Sequence, residues 1–417
     1  MAITDINEYT HLTESDVEAL GAELDALRRE IESDRGVRDA RYLRRAILAQ
    51  RILEVGGRIV LLGSRNRLLW LSGTSLLSAA KIIENMELGH NVMHGQWDWM
   101  NDPEIHSTSW EWDMVCYSAH WKHSHNYIHH KYTNVLNMDH DVGYGLLRVT
   151  RDEPWQKKHA AQPLANLFLA ATFEWGIGLH DLELKEYFQG IKPKEVAVPQ
   201  IKDFAKKVVR QLAKDYVIFP LLSVGSARST LTANLTANFV RNIWAYLVIF
   251  CGHFPDGAEK FTEESLVDET PGQWYLRQML GTANFDAGPA MAFMSGNLCY
   301  QIEHHLFPDL PSNRYAEIAV RVRQLCEKYD LPYTTGSLGR QYWQTFRTIN
   351  KLTLPNSMLI ASSDDAPETA SEKKFAELRA AATERGKRIV AAGEGKRDGL
   401  KTAIAELKLR RKALRAR

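Results

Sequence analysis

Seven of the fifteen histidines in this chain fall in three short strings: His90-Asn91-Val92-Met93-His94, His125-Asn126-Tyr127-Ile128-His129-His130 and Gln301-Ile302-Glu303-His304-His305. Imidazole nitrogen is the commonest metal ligand among side chains, and nitrogen-rich sites suit iron, zinc and copper. Residues four apart on a helix share one face, with Cβ atoms about 5–6 Å apart. His90 with His94, and His125 with His129, could therefore each clasp a metal from one helix. A lone histidine is ordinarily a hydrogen-bonded core or surface residue; three clusters, two of them with adjacent histidines, favour metal. Seven imidazoles exceed the four ligands of a tetrahedral zinc, so two metals are expected.

The boxes in this order resemble the signature of the membrane fatty acid desaturase/hydroxylase family: H-x3-4-H, then H-x2-3-HH, then (H/Q)-x2-HH. The flanking words match as well: Gly89-His90-Asn91, His129-His130-Lys131-Tyr132-Thr133-Asn134 and Glu303-His304-His305-Leu306-Phe307-Pro308. The run from Gly95 to Glu104, with the texture of the whole chain, is similar within that family to the bacterial NADPH-dependent stearoyl-CoA desaturases. The resemblance implies an all-α integral membrane bundle of about four transmembrane helices under a cytosolic cap holding a histidine-rich di-iron site. It implies His90, His94, His125, His129, His130, His304 and His305 as ligands. His253 stands where relatives often keep an extra histidine, and His180 ends another apolar segment; both are further candidates. His123 is expected on another face of its helix. The implied activity is O2-dependent insertion of a double bond into a long-chain acyl group, stearoyl-CoA at Δ9. Gln301 replaces the histidine of many relatives and in this family marks front-end (Δ5/Δ6-type) desaturases, which conflicts with that regiochemistry. A fatty acyl hydroxylase would share all three boxes.

Desaturating an unactivated chain means breaking strong C–H bonds, which side chains alone cannot do and metal–oxygen chemistry can. Ligating imidazoles usually give their other N–H to a carboxylate or carbonyl. Asp113, Asp139, Asp141 and Asp286 are candidate acceptors, and Gln301 and Asn297 candidate hydrogen-bond partners. The sequence contains no H-P-G-G haem motif, four-cysteine iron–sulfur set or G-x-G-x-x-G loop. Electrons are therefore expected from a separate NADPH-dependent flavin and iron–sulfur reductase. Arg148, Arg151, Lys157 and Lys158 are candidates for the phosphates of acyl-CoA. Two other chemistries fit poorly. A ferritin-like carboxylate site needs two E-x-x-H motifs on bundle helices, and Glu87-Leu88-Gly89-His90 is matched only by Glu8-Tyr9-Thr10-His11 at the N-terminus. The H-E-x-x-H protease motif is absent.

The elements that must position these residues are harder to read. The chain has 417 residues, 45% hydrophobic and 25% charged, with a net charge of +1 and no composition that suggests nucleic acid. Mean hydropathy is −0.33, and no segment gives the 20 clean apolar residues of a spanning helix. Guided by the family, spans are expected near residues 50–80, 163–182, 214–233 and 236–254, within a desaturase domain over 50–350 and after an N-terminal cytosolic segment over 1–49. Residues 351–417 form a basic tail; its last 47 residues hold 15 Lys/Arg against 6 Asp/Glu, a charge suited to anionic lipid or an acidic partner. The four cysteines form no C-x-x-C pair, and the N-terminus lacks a signal-peptide pattern. The expected location is the cytoplasmic membrane, with the site facing the cytosol. Five tryptophans between 97 and 121 could lie at the headgroups or pack the cap.

Overall fold

A computed structural model describes residues 2–9 and 11–359; the tail beyond 359 lies outside them. Among the described residues the regular structure is helical, with only isolated bridge pairs of extended chain. Thr13 caps α1 (Glu14–Ser33) in a capping box with Asp16. α2 (Val37–Leu61) runs unbroken past residue 50 and turns back through residues 62–66. The side-chain oxygen of Asn66 then accepts from the N–H groups of Leu68 and Leu69 and starts α3 (Arg67–Ile83). α3 continues without interruption through a π-helical stretch, Glu84–His90, and on through Asn91–Met93. The expected span at 50–80 is thus an antiparallel hairpin, because the Asn66 cap falls in its middle.

α4 (Ser118–Trp121) likewise runs into a π stretch, Lys122–His129, and ends at Tyr132. The expected span at 163–182 is two helices, α5 (Gln162–Ala171) and α6 (Phe173–His180), broken at Thr172 where φ is −119° and ψ 32°. At 1.5 Å per residue they reach about 15 and 12 Å, short of a hydrocarbon core of about 30 Å. α7 (Lys194–Ala213), prolonged by Lys214–Ile218 and Phe219–Leu222, meets α8 (Ala227–His253) in a second hairpin. The expected span at 214–233 straddles its turn, while 236–254 lies within α8 but for its last residue. Among the described residues one helix, Val224–His253, is long and apolar enough to cross a membrane.

α2 packs on α3, α3 on α8, and the extension of α7 over residues 214–222 on α8. The bundle is apolar outside and ionic inside. Leu48, Ile52, Val55 and Ile59 on α2, Val217 and Leu221 beyond α7, and Leu235 and Phe239 on α8 are exposed. Inside, Lys81 lies 2.8 Å from Asp215 and 3.2 Å from Asp113, Arg58 3.3 Å from Asp215, and Arg241 2.5 Å from Glu174.

Four further helices matter to the site: α9 (Pro271–Gly281), α10 (Gln301–Leu306), α11 (Tyr315–Lys328) and α12 (Leu338–Lys351). α1 lies against α9 so closely that a Cβ on Gly21 would meet the Gly272 Cα at 2.9 Å. Leu20, Leu24 and Leu27 share one core with Leu276, Leu306 and Ile318, so the N-terminal helix helps build the layer that carries the third histidine box. Of the five tryptophans, Trp97, Trp112 and Trp121 are buried. They pack the interior, and Trp121 stacks on His125 at 4.4 Å between ring centroids.

Candidate metal centre

The ends of α3, α4 and α8 meet α10 at one place. A π stretch widens the helix and tends to sit at functional sites. One ends at His90 and the other holds both His125 and His129, so neighbouring histidines turn toward a common interior. His90, His94, His125 and His304 bring nitrogens within 4.8 Å of one another, and His129, His253 and His305 form a second such group. His130 stands between them, its ring centroid 4.7 Å from His94, 4.9 Å from His304 and 4.4 Å from His305.

The donor set fits two metals. The Nε2 atoms of His125, His129, His304 and His305 are buried without a hydrogen-bond partner, as are both ring nitrogens of His130 and Nδ1 of His253. Buried polar atoms left bare are rare unless something else binds them. The opposite nitrogens are engaged. His129 Nδ1 is 3.0 Å from Asp139, His125 Nδ1 3.3 Å from Asp141, His304 Nδ1 3.1 Å from the Tyr315 hydroxyl, and His305 Nδ1 3.2 Å from Gln278 and Thr133. That pattern orients ligands and leaves Nε2 free. Burial pushes His130, His304 and His305 well below the ordinary imidazole range, and neighbouring rings push the same way. These rings are neutral, as ligands must be. Burial would lower His129 too, but Asp139 beside it shifts it upward.

Several expected residues stand elsewhere. His180 lies beyond the two imidazole groups, its Nε2 3.4 Å from Asp141. His123 is exposed and stacks on Tyr127. Asp286 is exposed and accepts from Thr335, and Asp113 pairs with Lys81 and Lys214. Neither carboxylate meets a histidine. Asn297 donates to Glu87 and to Tyr42 rather than to a ring. Gln301 does reach one, with its amide nitrogen 3.1 Å from His253 Nε2. It can do so because residue 252 is glycine: a Cβ there would meet the Gln301 Cγ at 2.7 Å. Arg148 is buried and donates to the backbone carbonyls of Glu153, Leu352 and Leu354, so it is not presented to a phosphate. Tyr315, Gln278 and Thr133 were not singled out as ring partners. Thr133 follows the second box by three residues, whereas Tyr315 and Gln278 carry no spacing signal.

A narrow cavity leaves the rings of His90, His125 and His253 between Met86, Trp112, Phe173, Ile177 and Ile249, and reaches Glu174, Arg241 and Asn242. Asn85, Ser124, Asp141 and Asp181 also line it, so its walls are mixed.

The profile of the family described as fatty acid desaturase matches residues 67–337. The chain is 58% identical, over all of its length and 97% of the relative's, to a protein of Mycobacterium tuberculosis named NADPH-dependent stearoyl-CoA 9-desaturase. It is 24% identical to the sn-1 linoleoyl-lipid 6-desaturase of Arthrospira platensis over 68% of this chain and 79% of that one. The Delta(5) fatty acid desaturase A of Dictyostelium discoideum is 25% identical over 60% of this chain and 56% of its own length. The histidine boxes, their convergence and these matches agree: the chain belongs to the fatty acid desaturase family.

Proposed function

We propose that the protein is a membrane-bound, O2-dependent, non-haem di-iron desaturase that places a Δ9 double bond in stearoyl-CoA. The full-length 58% identity to the mycobacterial 9-desaturase carries this reading. Relatives named for 5- and 6-desaturation match at 24–25% over shorter stretches, so Gln301 is read as a hydrogen-bond partner of His253 and not as a mark of front-end chemistry. His90, His94, His125 and His304 would hold one iron, and His129, His253 and His305 the other, with His130 between. Bound iron supplies the O2-dependent oxidising power that removes one hydrogen from each of two adjacent carbons.

The chain's own groups do the rest. Neutral imidazoles bind metal without adding negative charge beside an apolar substrate. Asp139 and Asp141 hold the His129 and His125 rings in orientation. Trp112, Phe173 and Ile249 line the cavity in which the acyl chain would lie with its target carbons beside the rings, and they keep water away. The exposed apolar faces of α2 from Leu48 onward, of the end of α7 with its extension (Val209, Leu212, Val217, Leu221) and of α8, with α3 between them, are read as four spans. Residues 62–66 and 223–226 then lie at the far side and the histidines at the cytosolic side. A lipid-facing exterior would explain why the interior, and not the surface, carries the ions. Electrons would come from NADPH through a separate reductase.

The test is product analysis: the chain is co-expressed with a compatible reductase, fed deuterated stearate, and any new double bond is located by mass spectrometry. A C9–C10 bond is expected. A bond nearer the carboxyl end, or a hydroxylated product, would replace this reading with the front-end or the hydroxylase one.

A further inference from the structure

Gln96, two residues past the first box, is fully buried and touches no histidine directly, yet its amide is tied to two of them. Its oxygen accepts the Ser312 backbone N–H at 2.8 Å. A backbone N–H can only donate, so the amide has one orientation. Its NH2 therefore faces the Pro308 carbonyl at 3.0 Å, the Tyr315 hydroxyl at 3.0 Å and the Asn91 side-chain oxygen at 3.3 Å.

The two branches end on rings. Asn91 gives its NH2 to the Glu87 and Gly296 carbonyls. Its oxygen, 3.1 Å from His90 Nδ1, must then be the acceptor, and the proton sits on Nδ1. On the other side, Tyr315 donates its hydroxyl proton to the Phe307 carbonyl at 3.1 Å and accepts from Gln96. His304 Nδ1, 3.1 Å from that oxygen, must donate as well. His304 Nε2 is left without a partner, His90 Nε2 meets only the His94 Nε2 at 3.3 Å, and both face the same group of nitrogens.

We propose that Gln96 is a positioning residue that locks His90 of the first box and His304 of the third in the tautomer a metal requires, and holds the two boxes together. This rests on the metal reading above. Without the amide, the Asn91 oxygen and the Tyr315 hydroxyl each lose a buried partner, and the rings gain freedom to turn.

The test compares purified wild type with Gln96→Leu, which removes both donors, and with Tyr315→Phe, which removes one hydroxyl while keeping the ring in place. Readouts are iron per chain after dilution, the Mössbauer spectrum, kcat and KM for stearoyl-CoA, and the melting temperature of metal-free protein. Loss of partners one step behind a metal ligand typically weakens metal binding about 10–100-fold. Gln96→Leu should retain iron at least about tenfold less well, with an altered spectrum and a lower kcat at unchanged KM. Tyr315→Phe should show the same changes in smaller measure, with metal-free melting near wild type. Iron content and spectrum unchanged in both variants would overturn the lock while leaving the metal reading intact. Wild type that binds no iron would sink both. Should Gln96→Leu fail to fold, Tyr315→Phe decides alone.

Discussion

Two buried polar regions sit a few helical turns apart along α3 and are built on opposite rules. Around Lys81, the named charges each have an opposite charge within 3.3 Å: Lys81 with Asp215, Arg58 with Asp215, Arg241 with Glu174. Around His90, most of the rings satisfy one nitrogen and leave the other without a partner, and His130 leaves both. Burying a charge is tolerable only with a partner, and the first region pairs its cations with carboxylates, although Arg58 Nε and one Glu84 oxygen stay without a partner. The second is left open in the one direction where a cation could complete it. Burial of polar groups therefore does not by itself mark a functional site; the convergence of several bare nitrogens on one space does.

The sharpest way to break this contrast is to exchange the two outcomes. His129→Ala or His304→Ala should take product formation below detection, with iron lost and the helical fold kept, as read by product assay, iron content and circular dichroism. Full turnover in either variant would end the ligand assignment. Lys81→Ala should do the reverse. Removing one partner of a buried ion pair costs about 3–5 kcal/mol, so melting in detergent should fall markedly while folded protein keeps its iron. A Lys81→Ala protein that melts normally but loses metal would merge the two regions into one.

The smallest effect concerns the foot of α2, outside the proposed spans. Burial raises the Asp39 carboxyl, but Arg314, Asn313 and the Gly36 N–H outweigh it and hold it below the usual carboxylate range. A carboxylate held down in the fold contributes stability above its unfolded pKa of about 3.9, and loses it as pH falls through the lower folded value. Melting curves should weaken on acidification below about pH 4, and Arg314→Met should flatten that slope. An unchanged slope would mean that Asp39 contributes no acid sensitivity.

The histidines were legible because their spacing survives folding: i, i+4 pairs and adjacent HH remain neighbours whatever surrounds them. His253 was legible too, and the structure places it with His129 and His305. The spans were not. Hydropathy counts Arg58, Lys81 and Arg241 against their helices although all three point inward, so the windows slid onto the turns at 62–66 and 223–226. Thr172 escaped notice as a break because no glycine or proline marks it. His180, Asp286 and Asn297 were plausible partners by type, but which way such a side chain faces is set by distant contacts such as Asp141, Thr335 or Glu87, and no local spacing records those.

The cavity beside the rings has a floor, and the floor has a consequence for size. From His253 to Arg241 is twelve residues of α8, about 18 Å of depth, and the bottom is the Glu174–Arg241 pair with Asn242. An acyl methyl end resting above that pair is comfortable; one pressed onto it must strip a charge of its surroundings and forgo about 0.8 kcal/mol for every methylene denied an apolar wall. Each carbon beyond the fitting length would weaken binding roughly fourfold. If the acyl chain lies as proposed, the ion pair would act as a depth gauge, measuring the chain from its tail end.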